Sequence, residues 1–148
     1  LFTAFNCHIE ISNTELTNAG GGIAILIGGK YHFIHSTLAN FMTLKKRESA
    51  CLTIANNANN EIYAVDATFD NCIIDGSFDA GNDMFKGELN LSIDETASFN
   101  YLFNHCILKT KGENNEQFKN VLFTNESPTY RQKGNEKNKY TDVLSAGF

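Results

Sequence analysis

A six-residue pattern that recurs along the chain constrains the fold more than any other feature of the sequence. The pattern Phe-x-x-Cys-x-Ile at 69–74 returns at 103–108 with Leu in the last place, and at 33–38 with Ser in place of Cys. A degenerate copy is present at 4–9. The small residues of the four copies are separated by 29, 36 and 34 residues, and they are Cys7, Ser36, Cys72 and Cys106. Self-similarity with a period of roughly 20–50 residues predicts stacked repeats with loops of variable length.

The residue before each small residue is Asn or His, namely Asn6, His35, Asn71 and His105. Asn and His are enriched among the non-glycine residues that adopt a left-handed backbone conformation. We therefore expect a sharp bend at this position, between two short strands. After the bend, the Cys or Ser and the apolar residue two places further on face the interior together, because side chains alternate along a strand.

Each repeat also contains earlier apolar runs that are typical of strands. These runs are 23–27, 51–55, 62–65, 89–93, 99–102 and 121–123. Gly28 and Gly29 predict a turn after the first of them. Each repeat thus holds about three short strands and no convincing helix. Three strands per repeat, each stacked on the like strand of the next repeat, predict a parallel β-helix.

With these corners, the sequence resembles the right-handed parallel β-helix proteins of the pectin-lyase-like superfamily, and in particular their bacterial extracytoplasmic members. The resemblance rests on the corners at 69–74 and 103–108, on Asn71 as the start of an asparagine ladder, and on a Pro-containing, Gly-ended tail at 125–147. It implies an all-β, right-handed solenoid of about four coils with three short strands per coil. The coils would occupy 1–125, and 126–148 would form a polar capping segment of the same domain.

Length and charge narrow the class of function. The 148 residues suffice for one domain with a core, and the net charge of −5 lacks the basic excess of a nucleic-acid-binding surface. No apolar run approaches the roughly 20 residues of a membrane span. The chain starts inside a repeat without Met, so we expect upstream coils of a longer protein, a cap or a partner to cover the first coil. The resemblance implies an extracytoplasmic location: secreted, periplasmic or anchored at the cell surface.

The cysteines and histidines predict no metal or nucleophile site. Cys72 and Cys106 would stack about 4.8 Å apart, less than the roughly 5.5–6 Å that disulfides prefer, so we favour free thiols over a disulfide. His35 and His105 would lie about 9–10 Å apart, too far to share one zinc ion. His105 and Cys106 are adjacent and would point to opposite faces of a strand. We expect no cofactor, with calcium possible only if the protein is a lyase.

Three long loops, 39–50, 75–87 and 109–119, all follow the strand after the bend and should meet at one edge of the solenoid. A groove beside them is the predicted ligand site, since binding residues concentrate on loops held by a rigid scaffold. The candidate binding residues are Phe78, Phe85, Asp79, Asp83, Lys45 and Arg47. Outward aromatic side chains that stack on sugars would also come from Tyr31, Tyr63 and Tyr101.

Catalytic residues are not identifiable from the sequence. The acidic candidates are Asp66, Asp70, Asp75, Asp79, Asp83, Glu88 and Asp94, and they match no catalytic motif of pectate lyases or polygalacturonases. The leading hypothesis is an extracytoplasmic β-helix module that binds a polysaccharide or a cell-surface partner, without catalysis in this segment. One alternative is part of a polysaccharide lyase or glycoside hydrolase with catalytic residues partly upstream. The other is a structural stalk or adhesin-like spacer.

Overall fold

The computed structural model describes residues 1–42, 44, 46–80, 87–128, 130–132 and 141–143, and within these ranges the protein is all-β and contains no helix. The strands, in chain order, are β1 Phe2–Ser12, β2 Glu15–Thr17, β3 Ala24–Ile34, β4 Thr37–Asn40, β5 Leu52–Ala55, β6 Asn57–Ala58, β7 Glu61–Ile62, β8 Val65–Asp70, β9 Ile73–Gly76, β10 Leu89–Ser92, β11 Phe99–Asn104, β12 Ile107–Leu108, β13 Phe118–Lys119, β14 Leu122–Phe123, β15 Tyr130–Gln132 and β16 Thr141–Val143.

Two parallel sheets form the body of the structure. The larger sheet has the order β10-β5-β3-β8-β11-β13, with β1 on the opposite edge of β3. Strands β5 and β8 divide one edge of β3 between them, β5 pairing with 24–27 and β8 with 29–34. The second sheet has the order β14-β12-β9-β4-β2. Two short antiparallel pairs, β6 with β7 and β15 with β16, complete the described strands.

The sequence repeats pair with one another in parallel and in register. Phe69 is the register partner of Phe33 on one side and of Phe103 on the other. In the second sheet, Ile74 has the equivalent neighbours Leu38 and Leu108. Each copy therefore carries the chain from the larger sheet into the smaller one, and the repeated residues form columns across the strands.

Left-handed backbone at the predicted bends is confirmed. The φ angles of His35, Asn71 and His105 are 47°, 52° and 52°. Each of these residues is exposed and lies between the last residue of one strand and the small buried residue that opens the next. Asn and His tolerate this conformation better than most L-residues, which explains their presence at the corner.

The first copy of the repeat was assigned to the wrong residues from the sequence. In the register of the sheets, Phe33 pairs with Ile11, and Leu38 pairs with Leu16, so the first corner is Asn13 rather than Asn6. Asn6 has a left-handed φ of 43°, but it bends β1 within the larger sheet. The prediction failed because an Asn-Cys dipeptide resembled the corner, whereas pairing with β3 over ten positions sets the register.

A fifth corner at Asn120 was not recognised as a copy. Its φ is 52°, Phe118 pairs with Phe103 before it, and Phe123 pairs with Leu108 after it. The small residue of this copy is Val121, which is buried. The copy escaped recognition because a valine stands where the other late copies have cysteine.

The core is a stack of aromatic rings flanked by stacked thiols. The ring centroids of Phe33 and Phe69 are 4.9 Å apart, and those of Phe69 and Phe103 are 4.6 Å apart, with nearly parallel planes. The Cys72 N–H lies 3.4 Å from Cys106 Sγ in the neighbouring copy, and all four cysteines are free. Parallel stacking of equivalent residues, rather than hairpin pairing, therefore builds the interior.

One predicted burial and one predicted orientation were wrong. Cys7 was expected to be buried behind a corner, but it is exposed, and Thr14 occupies the position equivalent to Cys72. Tyr31 was considered as an outward aromatic, but it is 1% exposed and its hydroxyl donates to backbone carbonyls. Tyr31 precedes Phe33 by two residues and so faces the same interior side.

Candidate functional site

The three long loops contact one another at one edge, as the sequence predicted. Arg47 of the first loop lies within hydrogen-bond distance of Ser77 in the second. Gly87, at the end of the second loop, forms an isolated antiparallel bridge with Thr110 in the third. This cluster of loops is the region in which the sequence placed the ligand site.

A buried ion pair holds the loop cluster together. The guanidinium of Arg47 donates to both carboxylate oxygens of Glu88, at 2.5 and 3.2 Å, and its side chain is 1% exposed. The Glu88 carboxylate also accepts the backbone N–H groups of Cys51 and Phe78. The Phe78 ring lies under the guanidinium, 4.1 Å from Cζ to the ring centroid. Arg47 and Phe78 thus come together as predicted candidates, but their interacting groups are directed at each other and at Glu88.

The remaining candidates of the loop edge are placed only in part. Asp79 is exposed. Lys45, Asp83 and Phe85 lie outside the described residues. Close to the ion pair, the buried carboxylate of Asp75 accepts a hydrogen bond from the Ser127 hydroxyl at 3.0 Å. The charged groups of Arg47, Glu88 and Asp75 are therefore buried and hydrogen-bonded within the chain.

An open groove lies elsewhere, on the outward face of the larger sheet. It has a volume of about 420 Å³ and runs where β1 and β3 bend at Asn6 and Gly29. Four exposed side chains, one from each of four neighbouring strands, form a row across it. In strand order the row is His8, Lys30, Asp66 and Asn100. Successive members are strand neighbours, so they are spaced by about 4.8 Å.

The bend of the sheet depends on glycine. Gly29 has a φ of 83°, and a Cβ atom there would lie 2.3 Å from the carbonyl oxygen of Cys7 on the neighbouring strand. Gly28 has a φ of 59°, and a Cβ there would meet Tyr63. A side chain at either position is excluded both by backbone conformation and by space. The two glycines therefore fix the curvature that opens the groove.

An aromatic pair is next in sequence to two of the residues that line the groove. The rings of Phe5 and Tyr63 meet edge to face, with centroids 4.9 Å apart. Phe5 is 44% exposed and directly precedes Asn6, and Tyr63 directly precedes Ala64, so each ring adjoins a groove residue along the chain. Of the three tyrosines proposed as outward aromatics, Tyr63 is the one that directly precedes a groove residue in the sequence. Tyr101, by contrast, packs against the rings of the core.

A second polar cluster lies on the same outward face. His32 Nε2 is 2.9 Å from Asp70 Oδ2, and the Asn104 amide donates to Asp70 Oδ1 at 2.8 Å. Burial acts to raise the pKa of Asp70, but the hydrogen bonds from Asn104 and His32 outweigh it and hold the pKa of this carboxyl below its ordinary value. Asp70 is therefore a fixed anion at neutral pH.

Within the part of the chain that the structure describes, no group of three or more His, Cys, Asp or Glu side chains is arranged to hold a metal ion. The same residues contain no helix long and apolar enough to cross a membrane.

The groove was not recognisable from the sequence as a site. Its row combines residues separated by 22, 36 and 34 positions, and no local motif joins them. The alignment of the repeats would have revealed the row. Each corner residue is preceded at the same sequence distance by one member of the row: His35 by Lys30, Asn71 by Asp66 and His105 by Asn100. His8 stands at that distance only when the first corner is placed at Asn13.

Comparison of the chain with protein-family models, with curated proteins and with solved structures finds no match.

Proposed function

We propose that the chain is part of a right-handed parallel β-helix module that binds glycan in this groove, with the rings of Phe5 and Tyr63 contributing to binding, and does not cleave it. The single observation that carries the proposal is the row of exposed polar side chains at strand spacing that lines the groove, and the aromatic pair Phe5–Tyr63, next in sequence to the groove residues Asn6 and Ala64, adds to it. Sugar recognition requires both: ring faces that accept apolar sugar surfaces, and amides, hydroxyls or charges that bond to sugar hydroxyls.

The solenoid is supported by the repeat of the corners. Five corners with left-handed backbone, at Asn13, His35, Asn71, His105 and Asn120, connect strands of one parallel sheet to strands of another. Parallel neighbours require crossover connections, and such connections are right-handed in about 98% of cases. The asparagine-type corners agree with the resemblance to the pectin-lyase-like superfamily, which also implies the extracytoplasmic location.

The proposal includes a further coil, a cap or a partner on β1. Among the described strands, β1 pairs with β3 alone. Its interior residues Ile9 and Ile11 are half-buried, whereas their register partners Tyr31 and Phe33 are fully buried. An open strand edge with incompletely covered apolar residues is a site for strand addition, from upstream coils of a longer chain or from another protein.

Absence of catalysis is proposed from carboxylate geometry. Asp66 and Asp70 both point outward from β8, but four residues of extended strand separate their Cα atoms by roughly 13 Å. Glycosidases hold their two carboxyl groups about 5–9.5 Å apart. Asp70 is also committed to His32 and Asn104 and is poorly suited to donate a proton. The lyase or hydrolase alternative would need groups from outside this pair.

The test is a glycan array probed with the wild-type protein and two variants. Tyr63→Ala removes one ring of the aromatic pair, and Asp79→Ala is the matched control at the loop edge. We expect binding that Tyr63→Ala weakens at least tenfold and Asp79→Ala leaves unchanged. The opposite order would move the site to the loop edge and refute the groove.

The same proteins should be incubated with soluble polysaccharides, with and without calcium, while new reducing ends and unsaturated products are assayed. Product formation would overturn the non-catalytic assignment and, if it required calcium, would favour the lyase alternative. Absence of both binding and turnover would favour the stalk or spacer.

A further inference from the structure

We propose that the groove selects an uncharged glycan and discriminates against polyuronates. This inference rests on the proposed function and names the class of glycan that the groove takes. It is carried by the charges that line the groove and by their placement in the register of the sheet.

The two charged residues of the row cancel each other. Lys30 Nζ lies 3.9 Å from Asp66 Oδ2, and both side chains are more than half exposed, so both face the groove. They sit in the middle of the row, where the register places them side by side on β3 and β8. Any ligand that crosses the row therefore contacts one positive and one negative group within a few ångströms.

The other polar groups that line the groove are neutral donors and acceptors. Asn6, Ser98 and Asn100 each present an amide or a hydroxyl, which can both donate to and accept from a sugar hydroxyl. His8 is also close to an acid, with Nε2 3.4 Å from Glu10 Oε1. The described lining thus offers hydrogen bonds without an excess of positive charge.

Charge elsewhere on the protein also opposes a polyanion. The chain carries a formal charge of −5, which disfavours the approach of a polymer with one carboxylate per sugar. At the loop edge, the guanidinium of Arg47 is already neutralised by Glu88. Asp66 would repel each uronate carboxylate that Lys30 attracted, whereas a neutral sugar meets no such conflict.

The experiment compares hexasaccharides of equal length by isothermal titration calorimetry. The neutral probes are the hexamers of β-1,4-linked glucose, mannose and N-acetylglucosamine, and the anionic probe is hexagalacturonate. We expect at least one neutral hexamer to bind the wild-type protein ten times more tightly than hexagalacturonate. Tighter binding of hexagalacturonate than of every neutral hexamer would overturn the inference while leaving glycan binding intact.

Two charge variants provide an internal test. Asp66→Asn leaves Lys30 unopposed and is expected to raise the affinity for hexagalacturonate about fivefold, the effect of removing one unit charge about 4 Å away in water. The gain should shrink as salt is added. Lys30→Gln is the matched control and should weaken hexagalacturonate binding further. An Asp66→Asn protein with unchanged affinity for hexagalacturonate would refute the proposed role of the charge pair. If neither variant nor the wild type bound any hexamer, the proposed function itself would fail.

Discussion

The buried ion pair between Arg47 and Glu88 offers the sharpest test of how the loop edge is stabilised. Replacing Glu88 with Gln removes the negative charge and leaves one acceptor oxygen, which can serve only one of the N–H groups of Cys51 and Phe78, because these donate to different carboxylate oxygens. The guanidinium then stays at 1% exposure without a counter-charge. Removing one partner of a buried pair costs about 3–5 kcal/mol, because the remaining charge is left in a medium of low polarity.

A double-mutant cycle separates the interaction energy of the Arg47–Glu88 pair from the other effects of each substitution on stability. Arg47→Met removes the cation and keeps much of the apolar stem that packs near the Phe78 ring. In the double variant neither charge is left alone, so the two losses should not add. We expect a coupling energy of at least about 2 kcal/mol, at the upper end of values for contacting residues.

Urea denaturation followed by circular dichroism measures all four proteins of the cycle. The matched control is the pair Lys30 and Asp66, with side chains more than half exposed, for which coupling should fall at about 0–1 kcal/mol. The reasoning is refuted if Glu88→Gln costs less than about 1 kcal/mol, the range expected of a surface pair. It is also refuted if the two cycles give the same coupling, because burial would then not be the cause.

Four further predictions concern the core, the thiols, the carboxyl group of Asp70 and the groove. Phe69→Ala should cost about 3–5 kcal/mol of unfolding free energy, since its ring is fully buried between two stacked rings. Under native conditions a thiol reagent should label Cys7 and leave the other three cysteines, which are fully buried, unmodified, as mass spectrometry would show. Asp70→Asn should lower the free energy of unfolding at pH 7 and lower it less at pH 3. The folded state holds the pKa of Asp70 below its ordinary value, so ionised Asp70 stabilises the fold at pH values above the unfolded-state pKa. This contribution is lost as the pH falls through the native pKa. The affinity for the neutral glycan that binds should rise with the number of sugars up to about four, because the row crosses four strands over roughly 14 Å. Asn100→Ala should reduce this increase in affinity with chain length.

Each of these predictions has an outcome that contradicts it. If Phe69→Ala lowered the free energy of unfolding by less than about 1 kcal/mol, the stacked rings would contribute little to the stability of the core. Phe69→Leu, which removes less of the buried side chain, is the control. Native labelling of a second cysteine would show that the thiol stack opens to solvent. If Asp70→Asn lowered the free energy of unfolding equally at pH 7 and pH 3, ionisation of the Asp70 carboxyl group would not contribute to stability. Equal affinity for a monosaccharide and a hexamer would mean that the ligand binds end-on rather than across the strands.

The sequence was sufficient to predict an all-β chain of mostly parallel strands, because the repeat contains both the bend and the alternation that such strands need. A residue that tolerates positive φ and a small residue behind it determine a corner, and alternation after the corner determines which side is buried. Those two constraints correctly predicted the bends at His35, Asn71 and His105 and the burial of Leu38, Ile74 and Leu108 after them. They failed at the ends of the stack, where the small residue is Thr14 or Val121 and the motif is no longer visible.

The candidate sites were predictable to different degrees for a physical reason. Loop positions could be placed near one another from the topology alone, and the loops do meet. The sequence did not indicate which charged residues form ion pairs. Arg47 lies 41 residues from Glu88, and no sequence spacing predicts their contact. Pairing across loops depends on loop conformation, which the repeat does not constrain.

Register explains why the groove and the loop edge differ in character. On the sheet, strand spacing holds Lys30 and Asp66 at neighbouring positions whatever their side chains do, so their charged groups stay exposed and can reach a ligand. At the loop edge the backbone is free to close around Arg47 until its charge is buried against Glu88. The strands therefore keep Lys30 and Asp66 exposed and available for binding, whereas the charge of Arg47 at the loop edge stabilises the fold.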